Sequence, residues 1–446
     1  MDVILIAYRN FPHRFVRSAL QLRPALTPPT FNSAHLQLRP RSISSAEACR
    51  LQSPFISMPR PQLFAAAGAG MFVFGIVLAL LGTLFGMPAM RLRLGVDLSQ
   101  QGDLFLLLFV GVCTATLAAG PLIDRFGDKM VLLLSAIFVT AGLLGLAAAH
   151  SMLAAGISVV VMGAGGGGLN TAANVLVSAL YGDNRGPMLN VLGIFYAFGA
   201  LFIPLVVASI AAVLPIPQLL IASSLLPGLC VIVYAVCDFP PAREGHTMAW
   251  RELVEVVRYP GLLLFTVLLF VESGTENVIG GWTSTYVGSM GAGVRTATWV
   301  LTAYWAALMA GRLCATRFLR RLNKLQLVLL SAIGSAVGTV LLLSTRSVPV
   351  IAAGVALYGF ACAAIYPTVL AIVGDRYPRY AATIFGLLFA VGLAGGAVFP
   401  WTVGQISQAS TLRWGMVVPL VGAIIVSTVC GVIRRRTNPL PTSSAT

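Results

Sequence analysis

Gly120-Pro121-Leu122-Ile123-Asp124-Arg125-Phe126-Gly127-Asp128-Lys129 decides how this chain is to be read. The segment holds two acids and two bases, and it stands between two apolar stretches at about 104–120 and 130–149. Each stretch approaches the roughly 20 apolar residues that a helix needs to cross a hydrocarbon layer ~30 Å thick. A compact cluster of both signs against a membrane surface is more than a connector. It is suited to lock one conformation and to break in another.

Outward from this loop the same pattern recurs. Twelve stretches qualify as spans: 63–87, 104–120, 130–149, 153–179, 188–213 and 217–237, then 261–288, 297–319, 325–344, 348–373, 381–406 and 414–433. The composition agrees, with 58% apolar and only 10% charged residues in 446, against about 25% charged in soluble domains. An ordinary soluble enzyme and a disordered chain are both excluded. The expected fold is an all-α membrane protein with twelve transmembrane helices in two six-helix bundles. Residues 58–238 form the first bundle, 239–260 a linker, 261–436 the second bundle and 437–446 a tail. Within the linker, Trp250 to Val257 suits a short helix on the membrane surface. Residues 1–57 carry seven Arg and only Asp2 and Glu47 as acids, and they read as a leader that does not fold, or as a start placed too early with Met58 the first residue.

The net charge of +15 invites a nucleic-acid reading, but its distribution argues otherwise. With the N-terminus in the cytoplasm, 24 of the 29 Lys and Arg fall on the cytoplasmic side. The other five are Arg91, Arg93, Arg295, Arg346 and Arg413. Cytoplasmic loops of membrane proteins collect basic residues, so both termini are expected inside, in the cytoplasmic membrane, with no nucleic-acid partner. Most of the seven cysteines, 49, 113, 230, 237, 314, 362 and 430, sit in apolar stretches and read as core residues. No cofactor, metal site or catalytic constellation is expected; His150 and His246 do not resemble ligands. The run Gly165–Gly168 lacks the Lys-Ser/Thr of a phosphate loop and suits close helix packing.

The two halves echo each other. Gly120-Pro121-Leu122 recurs as Gly311-Arg312-Leu313, Gly199 to Pro204 as Gly395 to Pro400, and Gly182-Asp183 as Gly374-Asp375, at offsets of 191, 196 and 192 residues. Duplicated bundles can rock about a site near the midplane.

Gly120, Leu122, Asp124, Arg125, Gly127 and Lys129 match the Gly-x-Leu-x-Asp-Arg-x-Gly-x-Lys/Arg hallmark of the major facilitator superfamily, which the chain resembles from residue 63 to about 436. The resemblance implies a gating role for Gly120, Asp124, Arg125, Gly127 and Lys129, with Asp124 holding the cytoplasmic gate closed through the start of span eleven. Within the superfamily the chain resembles the fucose and glucose permease group. The stretches that carry this are Gly165 to Asn174, Met188 to Leu192, Glu276 to Trp282 with Tyr286, and Ala363 to Thr368. Three positions depart from that group. Asn170 stands where its proton-coupled fucose permeases carry an acid, span one has no acid, and Gly193 replaces a histidine.

Glu272 and Glu276 are the acids that lie well inside a span. A carboxylate in hydrocarbon costs about 2.5–3.5 kcal/mol on insertion scales, and a four-residue spacing puts both on one helical face. Two close carboxylates cannot easily both ionise, an arrangement suited to binding a proton or sodium ion. Asn170 and Asn174 are likewise four apart, and each amide can donate to and accept from a hydroxyl-rich solute. Trp282 and Tyr366, beside helix-breaking Gly or Pro, are candidate platforms for a sugar ring. The expected function is secondary active transport of a sugar or similar small polar solute by alternating access. Asn170, Asn174, Glu276, Trp282 and Tyr366 would bind the solute, and Glu272 and Glu276 would couple it to an ion. The alternatives are a proton-driven exporter of drugs or metabolites, and a receptor that binds without carrying.

Overall fold

The computed structural model describes residues 56–57, 60–182, 185–210, 214–240, 260–318, 322–377 and 381–437. They form helices α1 (Arg60–Leu84), α2 (Pro88–Leu94), α3 (Leu98–Ala148), α4 (Met152–Tyr181), α5 (Arg185–Ile210), α6 (Ile216–Val236) and α7 (Pro260–Ser289). The series continues with α8 (Val294–Phe318), α9 (Lys324–Ser344), α10 (Val348–Cys362), α11 (Ile365–Arg376), α12 (Ala381–Ala409), α13 (Leu412–Gly415) and α14 (Val418–Thr437). Two short strands, β1 (Ile56–Ser57) and β2 (Cys237–Asp238), pair in parallel. Ile56 and Ser57, expected in the leader, therefore belong to a strand; residues 1–55, the surface helix expected at Trp250 to Val257 and most of the expected tail lie outside the described residues.

Ten of the described helices are long and apolar enough to cross a membrane. The twelve spans are recovered from two features. Helix α3 has 51 residues, and at about 1.5 Å per residue a straight helix of that length would far exceed one bilayer. It breaks at Gly127, whose φ of 82° and ψ of 165° reverse the chain inside the quoted motif. Helix α8 supplies the other span; its polar content includes Arg312, discussed below. Helices α10 and α11 form one span, bent just before Tyr366-Pro367.

Local signals set the helix ends. Asp97 and Gln100 form a reciprocal capping box on α3, and Asn323 and Gln326 form another on α9. Pro88 opens α2, and Gly95 closes it with φ 65°. Such caps satisfy amide and carbonyl groups that the helix itself leaves unpaired.

The duplication is visible in backbone packing. A Cβ at Gly199 on α5 would stand 1.9 Å from the Phe72 carbonyl oxygen on α1, and one at Gly395 on α12 1.9 Å from that of Phe270 on α7. Gly163 approaches the Leu108 carbonyl as Gly359 approaches that of Tyr304, and Gly142 meets the Met162 backbone as Gly338 meets that of Tyr358. Most of these residues are related by 196 positions in the sequence. Among the echoes read from the sequence, only Gly199/Gly395 is such an equivalence. Gly120 has nothing within 4 Å, whereas a Cβ at Gly311 would stand 2.4 Å from the Phe360 carbonyl oxygen. Gly182 ends α4 at φ 48°, while Gly374 lies within α11.

Successive spans alternate in direction, which gives the molecule a basic end, carrying Gly127 and the start of α7, and a far end, carrying α2 and α13. Two of the five far-end arginines have structural duties. Arg93 donates to the Ala147 carbonyl and Arg413 to the Leu343 carbonyl, each in the last turn of a helix. These carbonyls are again 196 residues apart. Cations at helix C-termini meet both the unpaired carbonyls and the negative end of the dipole.

Overpacking a tight helix crossing typically costs about 1–3 kcal/mol. Gly199→Ala and Gly395→Ala are each expected to lower the thermal-shift midpoint in detergent clearly. Gly193→Ala, where nothing lies within 4 Å, should leave it unchanged or raise it.

Candidate functional site

Helix α7 carries Glu272 and Glu276 on one face, and both are buried, with 2% and 8% of their surface exposed. The Glu276 carboxylate lies 3.7 Å from an Nη of Arg312 on α8. Tyr304, two turns before Arg312 on α8, donates its hydroxyl to the Glu276 carbonyl oxygen at 3.1 Å. Thr275 donates to the Glu272 carbonyl at 3.1 Å. Neither carboxylate oxygen of Glu272 reaches solvent, and its side chain meets that of Glu276. Tyr358, Cys362 and Tyr366 stand within electrostatic reach of both glutamates.

The charge count is the notable feature. Two carboxyl groups share one guanidinium, so a single extra proton or cation would neutralise the cluster. A buried charge stripped of its partner destabilises by about 3–5 kcal/mol, which is why Arg312 and Glu276 must be considered together. By charge count Arg312 falls with the basic loop residues, but its side chain is only 24% exposed and lies within a span. The signal was present, because position 312 falls inside the stretch 297–319 read as a span.

Across the seam, the Arg312 guanidinium carbon sits 5.3 Å from the centre of the Tyr196 ring on α5. Nothing in the sequence pointed to Tyr196. Asn170 and Asn174 are half-buried on α4 and tied to each other: Asn174 Nδ2 donates to the Asn170 carbonyl at 2.8 Å and to its side-chain oxygen at 3.0 Å. The same amide approaches the Met71 sulfur on α1 at 4.0 Å. This leaves the Asn170 amide nitrogen and the Asn174 oxygen for other partners. Tyr366 is half-buried, its ring 5.7 Å from that of Phe389 on α12.

Trp282 has a different setting. It is fully buried, its indole N–H donates to the Pro400 carbonyl at 3.0 Å, and its ring packs 5.8 Å from Phe105 on α3. It belongs to a seam that closes the far half of the molecule. There Ser284 donates to the Gly82 carbonyl, and Gln101 donates to Thr285 at 3.1 Å. Ser99 reaches Gln405 at 2.8 Å, and Asp103 accepts from Trp401 at 3.0 Å. Gly82 against Gly280 and Gly102 against Gly404 bring the two backbones together.

In the quoted motif, Asp124 and Arg125 are exposed, and the Arg125 guanidinium lies over the Phe126 ring at 5.2 Å. Asp128 is buried and Lys129 half-buried. The expected partner of Asp124, at the start of span eleven, falls on residues 378–380, outside the described residues, and on 381–383, whose side chains are not described.

Two duplicated six-helix bundles, closed at the far end of their seam and carrying a buried ion pair in the second bundle, define a polytopic carrier. The sequence profile of the Major Facilitator Superfamily matches residues 67–400 and again 265–445, and the chain belongs to that superfamily. It is a secondary transporter, not an enzyme. A curated relative, the Protein TsgA homolog of Erwinia tasmaniensis, is 23% identical over 313 residues, covering 69% of this chain and 77% of the relative. The nucleoside transporter NupG superposes with a TM-score of 0.71 at 14% identity, over 84% of this chain and 100% of its own. A D-xylose–proton symporter gives 0.71 at 14% identity, over 83% and 96%. The xylose transporter XylE from E. coli, in a partially occluded inward-open conformation, gives 0.69 at 14%, over 87% and 99%.

Arg312→Gln alone is expected to destabilise the folded protein by about 3–5 kcal/mol, seen as a lower thermal-shift midpoint. Adding Glu276→Gln should restore most of the loss. Additive losses would mean that the two groups do not form a pair.

Proposed function

We propose that the protein moves a small, polar, hydroxyl-rich solute of the sugar or nucleoside kind across the cytoplasmic membrane, coupled to a proton. The observation that carries this reading is the Glu272–Glu276–Arg312 cluster, buried on α7 and α8 with one positive charge for two carboxyl groups. A proton bound there makes the cluster neutral, and its release leaves a net negative charge in a low-dielectric interior. States of different charge favour different exposures to water. Glu272, buried with its side chain against that of Glu276, is the proton carrier, and Glu276 links the carrier to the solute.

The solute lies between the Asn170–Asn174 pair of one bundle and Glu276 and Tyr366 of the other. Paired amides offer both donors and acceptors, as hydroxyl groups require. Trp282 backs the site from the far seam, and Asn170 holds the place of an acid without carrying coupling. The division at 58–238 and 261–436 describes the two moving bodies. The excess of Lys and Arg at the basic end, and so both termini, faces the cytoplasm. In the quoted loop, Gly127 turns the chain, while Gly120, Asp124, Arg125 and Lys129 form the gate at that end. The transporters of similar fold named above act on a nucleoside and on xylose, which supports the solute class.

Counterflow in proteoliposomes tests this without a driving gradient. A panel of labelled hexoses, pentoses and nucleosides is expected to contain at least one solute that exchanges. Glu272→Gln should keep exchange but lose accumulation driven by a proton gradient. Accumulation driven by sodium instead would replace the proton. Absence of exchange across the panel in folded protein would overturn the solute class and direct attention to bulky apolar cargo.

A further inference from the structure

Arg312 is held from two bundles at once. Its ion-pair partner, Glu276, lies on α7 in its own half. The ring it stacks on, Tyr196, lies on α5 in the other. Both mounts are stiff. A Cβ at Gly75 would stand 2.1 Å from the Tyr196 carbonyl oxygen, and the Tyr196 ring packs 5.6 Å from Phe74, so the ring moves with α1. Next to Arg312, a Cβ at Gly311 would stand 2.4 Å from the Phe360 carbonyl oxygen, so the arginine moves with α10.

One edge of the guanidinium lacks a hydrogen bond. Its contact with Glu276, at 3.7 Å, is longer than a hydrogen bond. Its Nε is shut off from solvent without a hydrogen-bond partner. The face of the Tyr196 ring is therefore part of what holds this partly buried cation, since a cation over an aromatic face is attracted by the ring quadrupole.

We propose that Tyr196 is a positioning residue that holds Arg312 against Glu276 while the far seam is closed, making the charge pair and the bundle rotation one equilibrium. This rests on the transport reading above and extends it by naming the link between charge and motion. Separation of α5 from α8 removes the ring and loosens the pair. By linkage, loosening the pair favours opening of the far seam to the same degree.

The test reads conformation without solute. Thr285, 2% exposed and facing Gln101 across the far seam, is replaced as Thr285→Cys in full-length protein freed of its other cysteines and reconstituted in liposomes. The maleimide alkylation rate then reports far-seam opening. Tyr196→Leu is expected to raise the rate about tenfold, within the usual range of coupling between sites. Tyr196→Phe, which keeps the ring, should match the parent. Combining Tyr196→Leu with Arg312→Gln should give little beyond the larger single effect, since both remove one contact. A Leu variant equal to the parent, or rate increases that multiply, would overturn the proposal. If Tyr196→Leu does not yield folded protein, Tyr196→Trp carries the test: its better ring face should lower the rate, and an equal or higher rate would overturn the proposal. Because no solute is present, failure of counterflow in the parent would count against the transport reading alone.

Discussion

Hydrocarbon cannot solvate a charge, and the organisation of this protein follows from where its few buried charges find partners. Glu276 and Arg312 face each other across α7 and α8, and Glu272 lies one turn away, buried against Glu276. Leaving either member of such a pair alone is far more costly than burying both. The pair makes the interior tolerable, and Glu272 beside it leaves two carboxyl groups to one guanidinium.

The cluster sits among stiff bodies, and the glycines supply the stiffness. Gly199 on Phe72 and Gly395 on Phe270 bring helix backbones into contact, and the same register recurs between spans two and four and between spans three and four. With little attraction between apolar side chains in lipid, close backbone packing is what holds helices together. The far seam uses glycine contacts as well, but adds hydrogen bonds between the halves at Asp103, Gln101, Ser99 and Ser284. Polar contacts, unlike apolar packing, can part and meet water.

The charge pattern has two explanations that the sequence alone merges. An excess of basic residues at one end is the pattern expected of loop orientation in a membrane protein. At the other end, Arg93 and Arg413 cap helices, and within a span Arg312 neutralises a carboxylate. An arginine count therefore mixes topology with structure, and only contacts separate the roles.

Much of the fold was legible in the sequence because span length is a one-dimensional property. Twelve apolar stretches, the charged segment between spans two and three and the Gly199/Gly395 echo can be read along the chain, as can the cost of placing Glu272 and Glu276 in hydrocarbon. What could not be read was which residues face each other. The partner of Glu276 lies 36 positions away on the next helix, Tyr196 lies in the other bundle, and Trp282 belongs to the far seam rather than beside Tyr366. Periodicity places a residue on a face of its own helix. The rotation of each helix, and therefore its partners, is set by packing against all its neighbours, and that exists only in the tertiary structure.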